Sequence, residues 1–70
     1  MNKDELLQLE KYLRKTFKTQ TIEVRARPKK KDSAEVHIDD EFVGLIYRDE
    51  EDGEVSYQFQ MAILEFDLAS

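Results

Sequence analysis

Two runs of charge hold the residues best equipped for chemistry in this chain. Arg25, Arg27, Lys29, Lys30 and Lys31 place five cations within residues 25–31, a cluster able to contact phosphates in a salt-dependent way. Asp49, Glu50, Glu51, Asp52 and Glu54 are its acidic counterpart, with the carboxylate oxygens that hard divalent cations prefer. Neither signal is specific. The basic run has no interleaved aromatic platform for stacking bases and no recognition-helix signature. The acidic run departs from an EF-hand loop, because Glu51 and Gly53 stand where short oxygen ligands are needed at its third and fifth positions. It reads as an acidic surface turn, and no metal ligand is assigned.

The remaining reactive side chains are isolated. His37 is the lone histidine, and beside Glu23 and Glu35 it reads as an ion-pair partner rather than a catalyst. Ser33, Ser56 and Ser70 have no base arranged around them, and two glycines cannot form a phosphate-cradling loop. The acidic pairs lie on turns, where water keeps their acidity ordinary. The expectation is therefore no enzyme, no catalytic residue and no cofactor.

These residues must be positioned by local structure. Asn2 followed by Glu5 has the form of a capping box, and Leu6, Leu9, Leu13 and Phe17 recur at helical spacing. A helix over about residues 3–18 follows, with Leu7 and Tyr12 flanking its apolar stripe. Asp4 and Glu5 near its start and Lys15 and Lys18 near its end suit the helix dipole. From Thr21 the period becomes two: Ile22, Val24 and Ala26 alternate with charged residues until Pro28. Ala34, Val36 and Ile38 repeat the pattern, with residues 29–32 as the turn. The preferred register sets Ala26 opposite Ala34, Val24 opposite Val36 and Ile22 opposite Ile38. It also faces Arg25 with Glu35 and Glu23 with His37, both favourable cross-strand pairs.

A third strand is expected over 42–48, after a turn at Asp40 and Glu41, with Val43, Leu45 and Tyr47 inward and Phe42 and Ile46 outward. Residues 49–53 form the next turn, where Gly53 is free to take positive φ. The fourth run starts at Glu54 and keeps Val55, Tyr57, Phe59, Met61 and Ile63 on one face, then shifts to Leu64, Phe66 and Leu68. A phase flip of this kind implies a bulge, a bend or a new partner near residues 62–64. Pairing Tyr47 with Val55 exhausts the third strand near residue 61, which leaves 62–68 as an apolar edge.

The fold class expected is α+β: one N-terminal helix on a four-stranded antiparallel meander whose last strand is long and bent. All of residues 1–70 form one small domain. In a meander the basic first turn and the acidic third turn share one end of the sheet. Two strand spacings of ~4.8 Å put them about 10 Å apart, near one Debye length. Mutual neutralisation is the plain reading of both turns. Outward Phe42 and Ile46, with Leu64, Phe66 and Leu68, form the more informative cluster: either the tail folds back over this face, or the surface joins two chains.

Composition narrows the classes. Residues 1–31 carry a balance of +6 and residues 32–70 a balance of −11, a segregation that calls for an electrostatic partner or for pairing within the chain. A chain of 70 residues with no cysteine has no disulfide or thiolate site and depends on packing or oligomerisation for stability. Its longest apolar stretch is four residues, 61–64, which is too short for a membrane span. The start of the chain shows no apolar signal core, so a cytoplasmic location is expected.

The order Arg27-Pro28-Lys29-Lys30, Ser33-Ala34-Glu35-Val36 and Phe42-Val43-Gly44 resembles a family of short alphaproteobacterial proteins known only as a domain of unknown function. The most distinctive stretch is Tyr47-Arg48-Asp49-Glu50, Gly53-Glu54, Ser56-Tyr57, Phe59-Gln60-Met61-Ala62-Ile63-Leu64 and Asp67-Leu68. The likeness spans essentially the whole chain, including Leu9, Tyr12, Leu13 and Phe17. It implies a bacterial cytoplasmic protein complete at this length, and it carries over no activity, cofactor or catalytic residue. The function expected first is a non-enzymatic module that self-associates through its C-terminal strand, using Phe42, Ile46, Leu64, Phe66 and Leu68, or that binds another protein. The alternative is nucleic-acid or polyanion binding through Arg25, Arg27, Lys29, Lys30 and Lys31. No membrane partner is expected.

Overall fold

Asn2 closes the start of helix α1 (Lys3–Phe17) from both sides. Its side-chain oxygen accepts from the Glu5 amide at 2.8 Å, while its own amide donates to the Glu5 carboxylate at 3.1 Å. Two orphaned helix donors are satisfied by this exchange. At the other end Lys18 turns left-handed, with φ 55°, and its amide bonds the Arg14 carbonyl, which stops the helix. The structure is a computed structural model that describes residues 1–69, so Ser70 lies outside the described residues.

Strands β1 (Ile22–Arg27), β2 (Lys30–Ile38), β3 (Glu41–Glu51) and β4 (Glu54–Gln60) follow, and a short helix α2 (Glu65–Leu68) ends the described chain. The sheet order is β1-β2-β3-β4, with every neighbour antiparallel. The fold is the α+β arrangement of one helix on a four-stranded meander. No helix among the described residues is long and apolar enough to cross a membrane.

The first hairpin has the expected register: Ile22 faces Ile38, Val24 faces Val36 and Ala26 faces Ala34. Its turn is tighter than the predicted 29–32, because Arg27 already opposes Lys30 and a bulge absorbs the surplus residues of β2. The opposed charges also choose other partners. Arg25 donates to Glu23 at 3.0 Å and to Asp40 at 2.7 Å, while the His37 Nε2 lies 2.8 Å from a Glu35 oxygen. Residues two apart on a strand share a face, so each charge finds its neighbour along the strand as readily as across it.

The third strand departs from expectation in phase. His37 faces Phe42 but Val36 faces Gly44, so Val43 is an extra residue bulged out of the ladder. Beyond the bulge every side chain changes face. Ile46 is thus 3 % exposed, in the core with Leu9, Leu13, Ile22, Val24, Ala34 and Val36, while Tyr47 is solvent-exposed. The expected outward placement of Ile46 is corrected on this account. Phe42 precedes the bulge and does stay on the outer face, its ring edge-on to His37 at 5.7 Å.

The second turn lies one residue earlier than the expected Asp40 and Glu41, and the third is shorter than the expected 49–53. Asp39 and Asp40 take positive φ of 52° and 65°, as do Asp52 and Gly53 at 52° and 81°. Both pairs are two-residue hairpin turns of the kind that matches strand twist. Most of the predicted 49–53 loop therefore lies in the ladder, and Tyr47 pairs with Gln58 rather than Val55. The last strand is not long: β4 has 7 residues against 11 in β3. The chain leaves the sheet after Gln60 and turns into α2, where a continued strand was expected.

A polar clasp holds the β3–β4 hairpin to the helix. The Tyr57 hydroxyl donates to the half-buried Glu5 carboxylate at 2.8 Å, and Arg48 Nε lies 3.5 Å from the same oxygen. The Tyr57 bond, the Asn2 amide and Arg48 together hold the Glu5 carboxyl below its ordinary range, and the same bond raises Tyr57. A depressed carboxylate stabilises the fold above its unfolded pKa and loses that contribution as pH falls through the folded value; a raised tyrosine loses its share only in strong alkali. Tyr57→Phe should cost about 1 kcal/mol near neutrality. In thermal melts followed by circular dichroism, the gap to wild type should close as the pH drops below the usual carboxylate range. A gap that persists unchanged in acid would contradict the clasp.

Candidate functional site

One helix is narrower than this sheet. An α-helix with side chains is roughly 10–12 Å across, whereas four strands at ~4.8 Å spacing occupy roughly 19 Å. Helix α1 sits toward β1, and two of its side chains close that edge. The Glu10 carboxylate accepts from the Val24 amide at 3.0 Å, and Arg14 Nε donates to the Ile22 carbonyl at 2.8 Å. Backbone groups that would template another strand are thereby occupied.

The opposite half of the same face is only partly covered, with Tyr57 and Phe59 half-buried against the core. A groove of about 400 Å³ runs beside α1 past Leu9, Tyr12, Phe17, Ile46, Tyr57 and Phe59. A second groove of about 230 Å³ lies at the C-terminal end of the helix, walled entirely by apolar side chains that include Leu13, Phe17, Ile38, Val43, Phe59 and Met61. Phe17 and Phe59 belong to both and meet edge to face at 6.2 Å. Phe17, expected to face the core, is thus half-exposed because no element covers β4 beyond it.

The β4 edge has no counterpart to the Glu10 and Arg14 guard. Among the described residues no side chain hydrogen-bonds its backbone, and the strand contains neither proline nor lysine. It continues into the apolar tail, where Met61, Ile63, Leu64, Phe66 and Leu68 are all exposed. Phe66 at 81 % and Leu68 at 75 % do not fold back over the sheet. Of the expected self-association cluster, Leu64, Phe66 and Leu68 therefore come together on α2 and its lead-in, Phe42 lies on the outer sheet face, and Ile46 is interior.

The basic tip is less uniform than its sequence. Arg25 is committed to Glu23 and Asp40, and those hydrogen bonds, Glu23 first, hold its guanidinium more firmly protonated. Arg27 donates to the Ser33 hydroxyl at 2.9 Å. Lys29, Lys30 and Lys31 are exposed, and among the described residues none forms an ion pair. The Lys31 carbonyl accepts from the N-terminal amine of Met1. The acidic turn shares this end of the sheet, but no ion pair among the described residues joins the two tips. Among the described residues this turn bridges only through Glu50, to Arg48 at 2.6 Å.

Sequence reasoning missed Tyr12, Tyr57 and Phe59 as surface groove residues and Glu10 and Arg14 as edge guards. A signal for the former was present: a single helical stripe cannot cover four alternating strands. The guards had none, because their role depends on where α1 crosses the sheet.

A family model described as "Protein of unknown function (DUF3126)" matches residues 5–67. No curated protein and no solved structure gave a significant match.

Gly44 sets how closely β4 approaches. A Cβ at this position would stand 2.4 Å from the Gln60 carbonyl oxygen and 2.9 Å from the Phe59 ring, so β4 must shift to admit one. Gly44→Ala should therefore cost about 1–3 kcal/mol through overpacking, lowering the melting temperature by several degrees, and should move the amide resonances of residues 59–61. Wild-type stability in the variant would show that β4 tolerates displacement there.

Proposed function

The chain belongs to that family, whose description names no activity, and we propose from its own surface that it is a non-enzymatic interaction module that self-associates through its C-terminal segment. The observation that carries this reading is the exposure of Met61, Ile63, Leu64, Phe66 and Leu68 next to an uncovered apolar groove and an unguarded strand edge. Five such side chains expose on the order of 500 Å² per chain, which is as large as the largest apolar patch of a typical monomer. Groove rim and strand edge bring this toward the ~800 Å² per partner of a standard interface. A twin is the partner that all copies of the chain share.

Sedimentation equilibrium from micromolar to near-millimolar concentration should give a dimer that Phe66→Asp converts to monomer. A monomer throughout, unaffected by Phe66→Asp, would remove the reading.

A second reading, polyanion binding, is favoured by one observation: among the described residues Lys29, Lys30 and Lys31 form no ion pair, and with Arg27 they outnumber the one acid, Asp32, around one shallow cleft. Single-stranded nucleic acid of mixed sequence should then bind at low salt, and replacing the three lysines by glutamine should weaken binding and flatten its salt dependence. Fluorescence anisotropy reads both; no binding at low salt would end this alternative.

A further inference from the structure

We propose that Phe66 of each chain fills the 230 Å³ apolar groove of a second copy, so that two chains exchange their C-terminal segments about a two-fold axis. This deepens the self-association reading and rests on it. The groove is the right size for a ring: an apolar cavity of roughly 150 Å³ already takes up benzene, and this one holds about 230 Å³ with only apolar walls. Phe66 is the most exposed of the large apolar side chains, and a rigid aromatic inserted in a desolvated pocket is the usual anchor of an interface. Knob and hole are therefore both present on one chain and unused by it.

The chain's own tail is poorly placed to fill its own groove. Met61 sits on the groove wall, and the turn that follows directs Phe66 into solvent. Hydrogen bonds hold that turn: the Leu64 carbonyl accepts from the Asp67 and Leu68 amides at 2.9 and 3.3 Å, the Asp67 carboxylate accepts from the Leu64 amide at 3.2 Å, and the Ala69 amide donates to the Glu65 and Phe66 carbonyls. Bringing Phe66 back over Met61 requires reversing the chain within five residues and undoing this turn. A second chain's tail meets neither obstacle, and a short connection of this kind favours exchange between copies over closure within one.

Area and charge agree with a twin. The tail's exposed apolar surface, on the order of 500 Å² per chain, is counted twice in a two-fold exchange and reaches the total a stable interface needs once the groove it covers is included. Glu65 and Asp67 flank Phe66, while Lys15 and Lys18 lie at the end of α1 that bears Phe17. Asp39 and Glu41 flank the opposite wall beside Ile38. The acidic tail is thus drawn to the helix side of the groove and repelled from the turn side, which orients it.

The test uses cysteines placed beside the contact rather than in it, in a chain that has none of its own. Exposed Glu41 pairs with Ile38 on the groove wall, so Glu41→Cys and Ala69→Cys chains, mixed and treated with a short bismaleimide, should give a crosslinked heterodimer joining residue 41 of one chain to residue 69 of the other. Phe66→Ala should weaken dimerisation about 30-fold or more, the scale of a hot-spot truncation, whereas Phe42→Ala on the outer face should leave it within a few-fold. A dimer that forms without the 41–69 crosslink, or that responds to Phe42→Ala rather than Phe66→Ala, overturns the exchange and leaves self-association standing. Crosslinking confined to one chain in the double variant also overturns it, in favour of fold-back. Absence of any dimer overturns both.

Discussion

A helix of 15 residues has to cover four strands with an apolar stripe that is one helix wide, and its placement over β1 governs much of the rest. By lying there it lets Glu10 and Arg14 occupy the β1 backbone groups that a neighbouring strand would otherwise seek. The same placement leaves Tyr57 and Phe59 only partly buried and Met61 exposed. One edge of the sheet is therefore closed and the other open, from a single choice of crossing point. The Tyr57 to Glu5 hydrogen bond is the molecule's partial remedy, since it ties the outlying hairpin to the first turn of the helix.

The Val43 bulge is the second determinant. An extra residue in β3 lets Val43, at the bulge, and Ile46, beyond it, both face the core. Gly44, opposite Val36, then has no room for a side chain because β4 passes over it. A bulge and a close approach at one point turn the end of β4 out of the sheet: Gln60 is the last residue to pair with β3, and the chain leaves at Met61. The apolar tail thus leaves the sheet next to this irregularity.

Features decided by neighbours in sequence could be read from the residues. The Asn2–Glu5 cap, the apolar stripe through Leu9 and Leu13 and the pairing of Ile22 with Ile38 all depend on spacing alone, and they stand in the structure as expected. Features decided by non-local geometry could not. Alternation in 42–48 is equally regular for either face, so nothing local reveals that Val43 is surplus and that Ile46 rather than Tyr47 points inward. Alternation in the fourth run continues to Ile63 although its partner strand gives out at Gln60, because periodicity records which side chains are apolar and not whether a ladder is there. Of the surface cluster, Leu64, Phe66 and Leu68 were visible as an apolar set without a partner; Ile46 was misplaced by the same hidden bulge.

The separation of charge is resolved only in part inside one chain. Arg25 reaches Asp40 and Arg48 reaches Glu5, so two bridges join the basic and acidic portions of the sequence. Neither uses the lysine tip or Asp49, Glu51, Asp52 and Glu54. Those residues stay hydrated, where exposed pairs contribute little, and they keep that end of the sheet from burying apolar surface. The apolar surplus is left at the other end, with the tail and the groove. For a chain of 70 residues, which buries only roughly 60 % of its unfolded surface by itself, enlarging the core there by association adds stability that the isolated fold lacks. On the proposed dimer, association and completion of the fold would be one event, because the partly covered half-face is where a second copy would add to the core.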